Sequence, residues 1–283
     1  MFTWEDVCGA RPAVMGVVNV TPDSFSDGGQ WLDADRAVAH GLDLVAEGAD
    51  LLDVGGESTR PGAEPVPADE ERRRVVPVIA RLAAGSGVPV SVDTAKADVA
   101  AAALAAGATI VNDVSAARFD PAILEVAART GAGYVAMHML GEPRTMQDDP
   151  RYDDVVGEVG DFLIERLAAA RAAGIAGAAL AADPGIGFGK TTRHNLELLA
   201  RLGELTALVE VPVLVGTSRK RFIGAVLGGE GSDLPADERE EGTLATVVHA
   251  LDRGARIVRV HDARPAAQAV RLLEAMRAAE AAA

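Results

Sequence analysis

Eight apolar runs in this chain each end in polar or charged residues of types that bind anions and flat nitrogen heterocycles. The runs are Val14–Val20, Leu51–Gly55, Pro89–Thr94, Thr109–Val114, Tyr134–His138, Ala178–Pro184, Val211–Ser218 and Arg256–Asp262. At or just past their ends stand Asn19, Glu57 with Thr59 and Arg60, Asp93, Asn112, His138, Asp183, Lys220, and the pair Arg259 and His261. Arg60, Arg259 and His261, with hydroxyls and amides of the loops after the first two runs, compose an anion site suited to phosphate or pyrophosphate, because guanidinium forks match phosphate oxygens. Asp93, Asn112 and Asp183 supply acceptors for a heterocycle that presents several N–H donors. An anion clamp beside a heterocycle slot suits a transfer with a diphosphate leaving group, which asks for positioning and charge stabilisation. No Ser-His-Asp arrangement, cysteine nucleophile or dense metal-ligand cluster competes with this reading.

Those ends meet only if the runs are parallel strands. Helical spacing of apolar residues marks Asp33–Glu47, Ala68–Ala84, Lys96–Ala106, Pro121–Thr130, Tyr152–Ala173, Arg193–Val209, Glu240–Arg253 and Arg264–Ala281. Gly48, Gly107 and Gly174 follow helices and Pro121 opens one. Eight strands alternating with helices predict a (β/α)8 TIM barrel, an α/β fold with its active site at the C-terminal strand ends. A doubly wound open sheet gives the same alternation, but eight near-regular units leave no remainder for a second domain, so residues 1–283 read as one domain.

Composition narrows the class. At net charge −15 the chain would repel nucleic acid and anionic membranes except at a local basic site. Cys8 is the only cysteine, which excludes an intrachain disulfide and fits a reducing compartment. The sequence shows neither a signal peptide nor a membrane span, so the expectation is a cytoplasmic protein. Lysine occurs only at Lys96, Lys190 and Lys220 among 27 basic residues. Lys96, at a helix start, is expected on the surface, whereas Lys220 follows a strand directly. The glycine-rich loops 21–29 and 55–62 are long enough to close over an anion. The segment Gly185–Thr191 imitates a phosphate loop but has Pro184 where a Walker A glycine is required. His40, His194 and His249 read as structural or exposed helix residues, His138 as either packed or functional. Asp113 alternates away from Asn112 and reads as a loop or cap partner.

At this point the residues carry a family resemblance. The run Met15–Gly29, with Asn19-Val20-Thr21-Pro22-Asp23-Ser24-Phe25, resembles the first signature of the dihydropteroate synthases, and Asp53–Gly62, with Gly56-Glu57-Ser58-Thr59-Arg60-Pro61, resembles the second. Similar matches follow in order: Ser91-Val92-Asp93-Thr94, Asn112-Asp113, Met137-His138-Met139, Asp183-Pro184-Gly185 through Lys190, Ser218-Arg219-Lys220, and Arg259-Val260-His261-Asp262. The resemblance implies a pterin-binding barrel and condensation of 6-hydroxymethyl-7,8-dihydropterin diphosphate with 4-aminobenzoate, a transferase step of folate synthesis. It also implies that Asp93, Asn112, Asp183 and Lys220 hold the pterin, that Asn19 contacts Mg2+, and that Thr59, Arg60, Arg259 and His261 bind the diphosphate. By the same resemblance Phe25, Pro61, Phe188, Lys220 and Arg221 line the aminobenzoate pocket. Asp93, Asp183, Lys220 and Arg259 are the expected catalytic set, and a homodimer and sulfonamide sensitivity are further implications. Many relatives have serine where Arg221 stands, so Arg221 turns either inward to the aminobenzoate carboxylate or outward to solvent. Pterin-dependent methyltransferases share the barrel but lack the Ser58-Thr59-Arg60-Pro61 signature, and a silent pterin-binding paralogue is the other alternative.

Overall fold

Runs buried on both faces, rich in valine, leucine and alanine, form parallel strands that must be covered by helices. The computed structural model describes residues 1–20, 30–59, 62–229 and 232–282. Its eight strands are β1 (Ala13–Asn19), β2 (Leu51–Gly55), β3 (Val90–Asp93), β4 (Ile110–Asp113), β5 (Gly133–Met137), β6 (Leu180–Asp183), β7 (Leu214–Val215) and β8 (Ile257–Val260). All named pairings are parallel, in the order β6-β5-β4-β3-β2-β1-β8-β7, and a bridge between Ala182 and Val213 joins the two ends. The chain is thus a (β/α)8 TIM barrel, as the strand pattern predicted.

The surrounding helices are α1 (Glu5–Cys8), α2 (Gln30–Ala46), α3 (Ala68–Gly85), α4 (Ala97–Ala105), α5 (Ala122–Thr130), α6 (Val155–Ala172), α7 (Thr192–Ala200), α8 (Leu202–Val209), α9 (Arg221–Leu227), α10 (Glu240–Asp252) and α11 (Ala263–Ala281). Two expectations change. The single helix predicted over Arg193–Val209 breaks at Arg201, with Leu198 and Leu199 buried before the bend and Leu202 and Leu205 after it. Gly203 lowers helix propensity in the turn that follows. The seventh strand, expected over Val211–Ser218, pairs with β8 only at Leu214 and Val215.

Alternation along the strands sorts residues into two cores. Val14, Val54, Val92, Val111 and Tyr134 belong to the layer between sheet and helices. Ala13, Met15, Leu51, Ile110, Val135, Ala181, Leu214 and Ile257 form a second cluster with Trp4 and Cys8. These residues share registers across the barrel, for example Met15 with Leu51 and Ala13 with Ile257, so they fill its interior. Trp4 closes the N-terminal end, donating from its indole to Ala179 O at 3.0 Å. One step further along the strands the same parity brings Asp53, Ser91, Asp93, Asn112, Asp183 and Arg259 into the interior. The barrel is therefore apolar below and polar above, and the polar layer is the site.

Candidate active site

Arg259 is the hub of that layer. From β8 its Nε donates to Asp53 Oδ2 at 2.6 Å and its Nη2 to Asp93 Oδ2 at 2.8 Å. Asn112 Nδ2 donates to the same Asp53 oxygen at 2.9 Å. The guanidinium thereby joins β8 to β2 and β3, and Asn112 adds β4 through Asp53. Asp53 and Asn112 are buried, and Asp53 Oδ1 and Asn112 Oδ1 have no hydrogen-bond partner. Buried acceptors without donors are costly, and a heterocycle bearing N–H groups would satisfy them. Two carboxylates share one guanidinium, so their charge is not fully balanced. Burial pushes Asp93 up to about 7; Arg259 opposes this and Asp53 adds to it.

Asp183 and Lys220 form the facing half. Asp183, at the end of β6, is buried and accepts from Gly185 N at 2.7 Å through Oδ1, which leaves its other oxygen for a ligand donor. Burial raises its pKa, against the pull of Lys220, the Gly185 N–H and Arg259. Lys220 caps the start of α9, donates to Ile186 O and lies 4.7 Å from the centroid of the Phe188 ring. Desolvation brings it down to about 8, with Asp183 holding it up. Arg219, at φ 58°, forms a bidentate pair with Asp262, Nε to Oδ2 at 3.2 Å and Nη2 to Oδ1 at 2.9 Å, and its N–H donates to Thr243 Oγ1 at 3.0 Å. This strained residue aims its neighbour Lys220.

The loop carrying Phe188 is glycine-rich for steric reasons. Gly185 has φ +64°, and a Cβ there would lie 1.8 Å from His138 O. Gly185→Ala is expected to destabilise the fold by about 3 kcal/mol or more, because backbone strain and a backbone clash combine. The urea midpoint measures it, and an unchanged midpoint would show that the loop is not pinned.

The remaining expected residues divide clearly. Asn19 ends β1 and Thr59 lies in the loop after β2, both half-buried. His261 accepts its place from Ser218, whose Oγ is 2.9 Å from Nδ1 and receives the His261 N–H at 3.2 Å. Phe25, Arg60 and Pro61 lie outside the described residues. Arg221 is a correction: its side chain is 87% exposed and its Nε pairs with Asp233 at 3.1 Å, so it turns outward. The first turn of α9 carries it on the solvent side while Phe222 and Ile223 bury. Lys96 is another correction, since it is not a surface residue but bridges Glu57 and the buried Glu71. That bridge ties the loop after β2 to α3. Asp113 behaves as expected, accepting from Ser115 N, Ala117 N and the Tyr134 hydroxyl on the helix side of the sheet. His138 is packed and pushed down to about 2, by burial first and by Lys190 next. His194 belongs to the capping box of α7, and His249 Nε2 lies 2.9 Å from Leu199 O.

Sequence reasoning missed Asp53 as a site residue and missed Ser218 as the partner of His261. Asp53 left a readable signal, an acid in the middle of an otherwise apolar strand. Ser218 ends the seventh apolar run and opens the Ser218-Arg219-Lys220 match, but nothing in the sequence paired it with His261.

Comparison with known proteins gives a consistent answer. The family described as pterin binding enzyme matches residues 15–261. The dihydropteroate synthase of Escherichia coli K12 is 46% identical over 271 residues, covering 96% of this chain and 94% of its own. The Xanthomonas albilineans dihydropteroate synthase solved with 4-aminobenzoic acid superposes with a TM-score of 0.87 at 52% identity, over 95% of this chain and 94% of that one. The structure of that organism's enzyme in complex with 7,8-dihydropteroate gives 0.84 at 49% identity, over the same shares.

Proposed function

The chain belongs to the dihydropteroate synthase family of pterin-binding enzymes, and we propose that its polar barrel layer is where the pterin diphosphate and 4-aminobenzoate condense to 7,8-dihydropteroate and pyrophosphate. The observation that carries this placement is the set of buried, unpartnered acceptors on Asp53 and Asn112, opposite Asp183 and beside Arg259. Asp183, Asp93 and Asn112 accept the ring N–H and amino donors of the pterin, while Lys220 lies along its edge. As the C–O bond to diphosphate breaks, positive charge spreads from the exocyclic methylene into the ring, where the carboxylates stabilise it. Arg259 and His261, with Thr59 and Arg60, stabilise the departing diphosphate. The arylamine then attacks the methylene carbon and releases a proton; it needs no strong base. The aminobenzoate pocket is assigned to Phe25, Pro61, Phe188 and Lys220.

Among the described residues no cluster of three His, Cys, Asp or Glu side chains could hold a metal. Magnesium commonly binds through one or two protein oxygens plus phosphates and waters, so the amide oxygen of Asn19 fits it as a diphosphate-bound ion that would supply charge stabilisation. The same reading takes residues 1–283 as one domain and the enzyme as a cytoplasmic homodimer. Ile164, Leu196 and Leu208, exposed on barrel-wall helices, suit a second copy of the chain. Among the described residues no helix is long and apolar enough to cross a membrane.

Turnover of the purified chain with both substrates tests the activity. Dihydropteroate and pyrophosphate in equal amounts are expected; pterin binding without turnover would identify a silent paralogue, and methyl transfer from a methylated folate would identify the methyltransferase alternative.

The pH profile tests the assignments. Asp93 must be ionised to accept pterin donors and Lys220 protonated to contribute charge, so kcat/KM for the pterin diphosphate should be bell-shaped with limbs near about 7 and about 8. The same shifts cost folding stability. With Asp93 raised from 3.8, its contribution is present below that value and is lost as pH rises through about 7. With Lys220 lowered from 10.5, its contribution is present above that value and is lost as pH falls through about 8. A flat kcat/KM between pH 6 and 9 would contradict both roles. Because Arg221 pairs outward with Asp233, Arg221→Ser is expected to leave the aminobenzoate KM and sulfonamide inhibition within about twofold, exposed pairs being worth little. A larger shift in the aminobenzoate KM alone would place the guanidinium in the pocket.

A further inference from the structure

Lys190 has no place in the condensation, yet it is 2% exposed at the catalytic end of the barrel. Its Nζ is 2.8 Å from His138 Nδ1 and donates to Gly185 O at 3.0 Å and to Phe188 O at 3.1 Å. Burial keeps His138 neutral and also pulls Lys190 well below its ordinary value, against the opposing charge of Asp183. A single tetrahedral nitrogen can meet the His138 ring nitrogen and both carbonyls at once, which the flat fork of a guanidinium cannot do. This explains lysine here in a chain that otherwise prefers arginine.

The geometry around the loop is two-sided. Lys190 holds the carbonyls of Gly185 and Phe188, while Lys220 holds Ile186 O and sits over the Phe188 ring. His138 N donates to Asp183 O at 2.9 Å, joining the end of β5 to β6 beneath the loop. Further out, Gln147 donates to Gly187 O at 2.7 Å and the Tyr152 hydroxyl to Gly189 O at 2.8 Å. Phe188 itself is only partly buried, packed against Val114, Met137, Met139 and Met146. Its ring position therefore depends on its backbone, which Lys190 fixes.

We propose that Lys190 is a positioning residue for the arylamine substrate: by tying His138 and the carbonyls of Gly185 and Phe188 to one buried Nζ, it sets the Phe188 ring against Lys220 as a wall of the aminobenzoate pocket. This rests on the reading that Phe188 lines that pocket, and the test separates the two. Steady-state kinetics on the full chain are compared for Lys190→Met, Phe188→Leu and the double variant, with each substrate varied. Lys190→Met is expected to raise the aminobenzoate KM about tenfold, with the KM for pterin diphosphate changed less than threefold. In the Phe188→Leu background the same substitution should add less than twofold, because both act through one ring. An aminobenzoate KM unchanged by Lys190→Met, equal shifts for both substrates, or full additivity with Phe188→Leu would overturn the positioning role. If Phe188→Leu itself leaves the aminobenzoate KM unchanged, the pocket reading falls, and the proposal with it. Should Lys190→Met not fold, Lys190→Gln, shorter and uncharged but still a donor, is read against the same outcomes.

Discussion

Asparagine at position 183 is expected to lower kcat/KM for the pterin diphosphate by about 10²-fold or more while leaving the fold intact. Asp183 Oδ1 is already taken by the Gly185 N–H, so the other carboxylate oxygen is the one available to the pterin. An amide keeps one acceptor but puts an NH2 group where the second is needed, turned toward either the Gly185 N–H or the ligand's own donors. It also removes the charge that faces Lys220 and helps stabilise the cationic pterin. Turnover and dihydropterin titration of Asp183→Asn measure the effect. Wild-type kinetics would remove Asp183 from the site.

A larger effect is expected for Arg259→Gln, about 10³-fold in kcat/KM, because one side chain organises the pterin carboxylates and stabilises the leaving diphosphate. Breaking a buried pair costs more than the pair is worth, since the partners keep their charge without compensation. Asp53 is fully buried, and Asp93 is nearly so, so the same substitution should cost about 3 kcal/mol of stability. Adding Asp53→Asn to Arg259→Gln removes one of the uncompensated charges. The double variant should regain much of the stability and none of the activity, which urea unfolding and turnover read separately. A single variant with native stability would show that Arg259 does not hold the network together.

The strand ends were legible because burial on both faces leaves an apolar signature, and a polar residue closing such a run stands out. Asp93, Asn112, Asp183, Lys220 and Arg259 were found that way, and all of them lie in or beside the polar layer. Asp53 broke its run in the middle and was overlooked, although the same rule applies to it. Lys96 looked like a surface helix residue because a side chain's partners, Glu57 and Glu71, come from segments distant in the chain.

By itself the sequence determined the barrel, the family and the polar set at the strand ends, since alternation and composition are local properties that no distant contact can rewrite. Only the tertiary structure decided how those residues pair. That Arg259 serves both Asp53 and Asp93, that Lys190 binds His138 and the carbonyls of Gly185 and Phe188, and that Arg221 turns to Asp233 all depend on strand register and on which side of a helix turn faces the pocket. A one-residue change of register would reverse every such choice while leaving the apolar pattern almost unchanged.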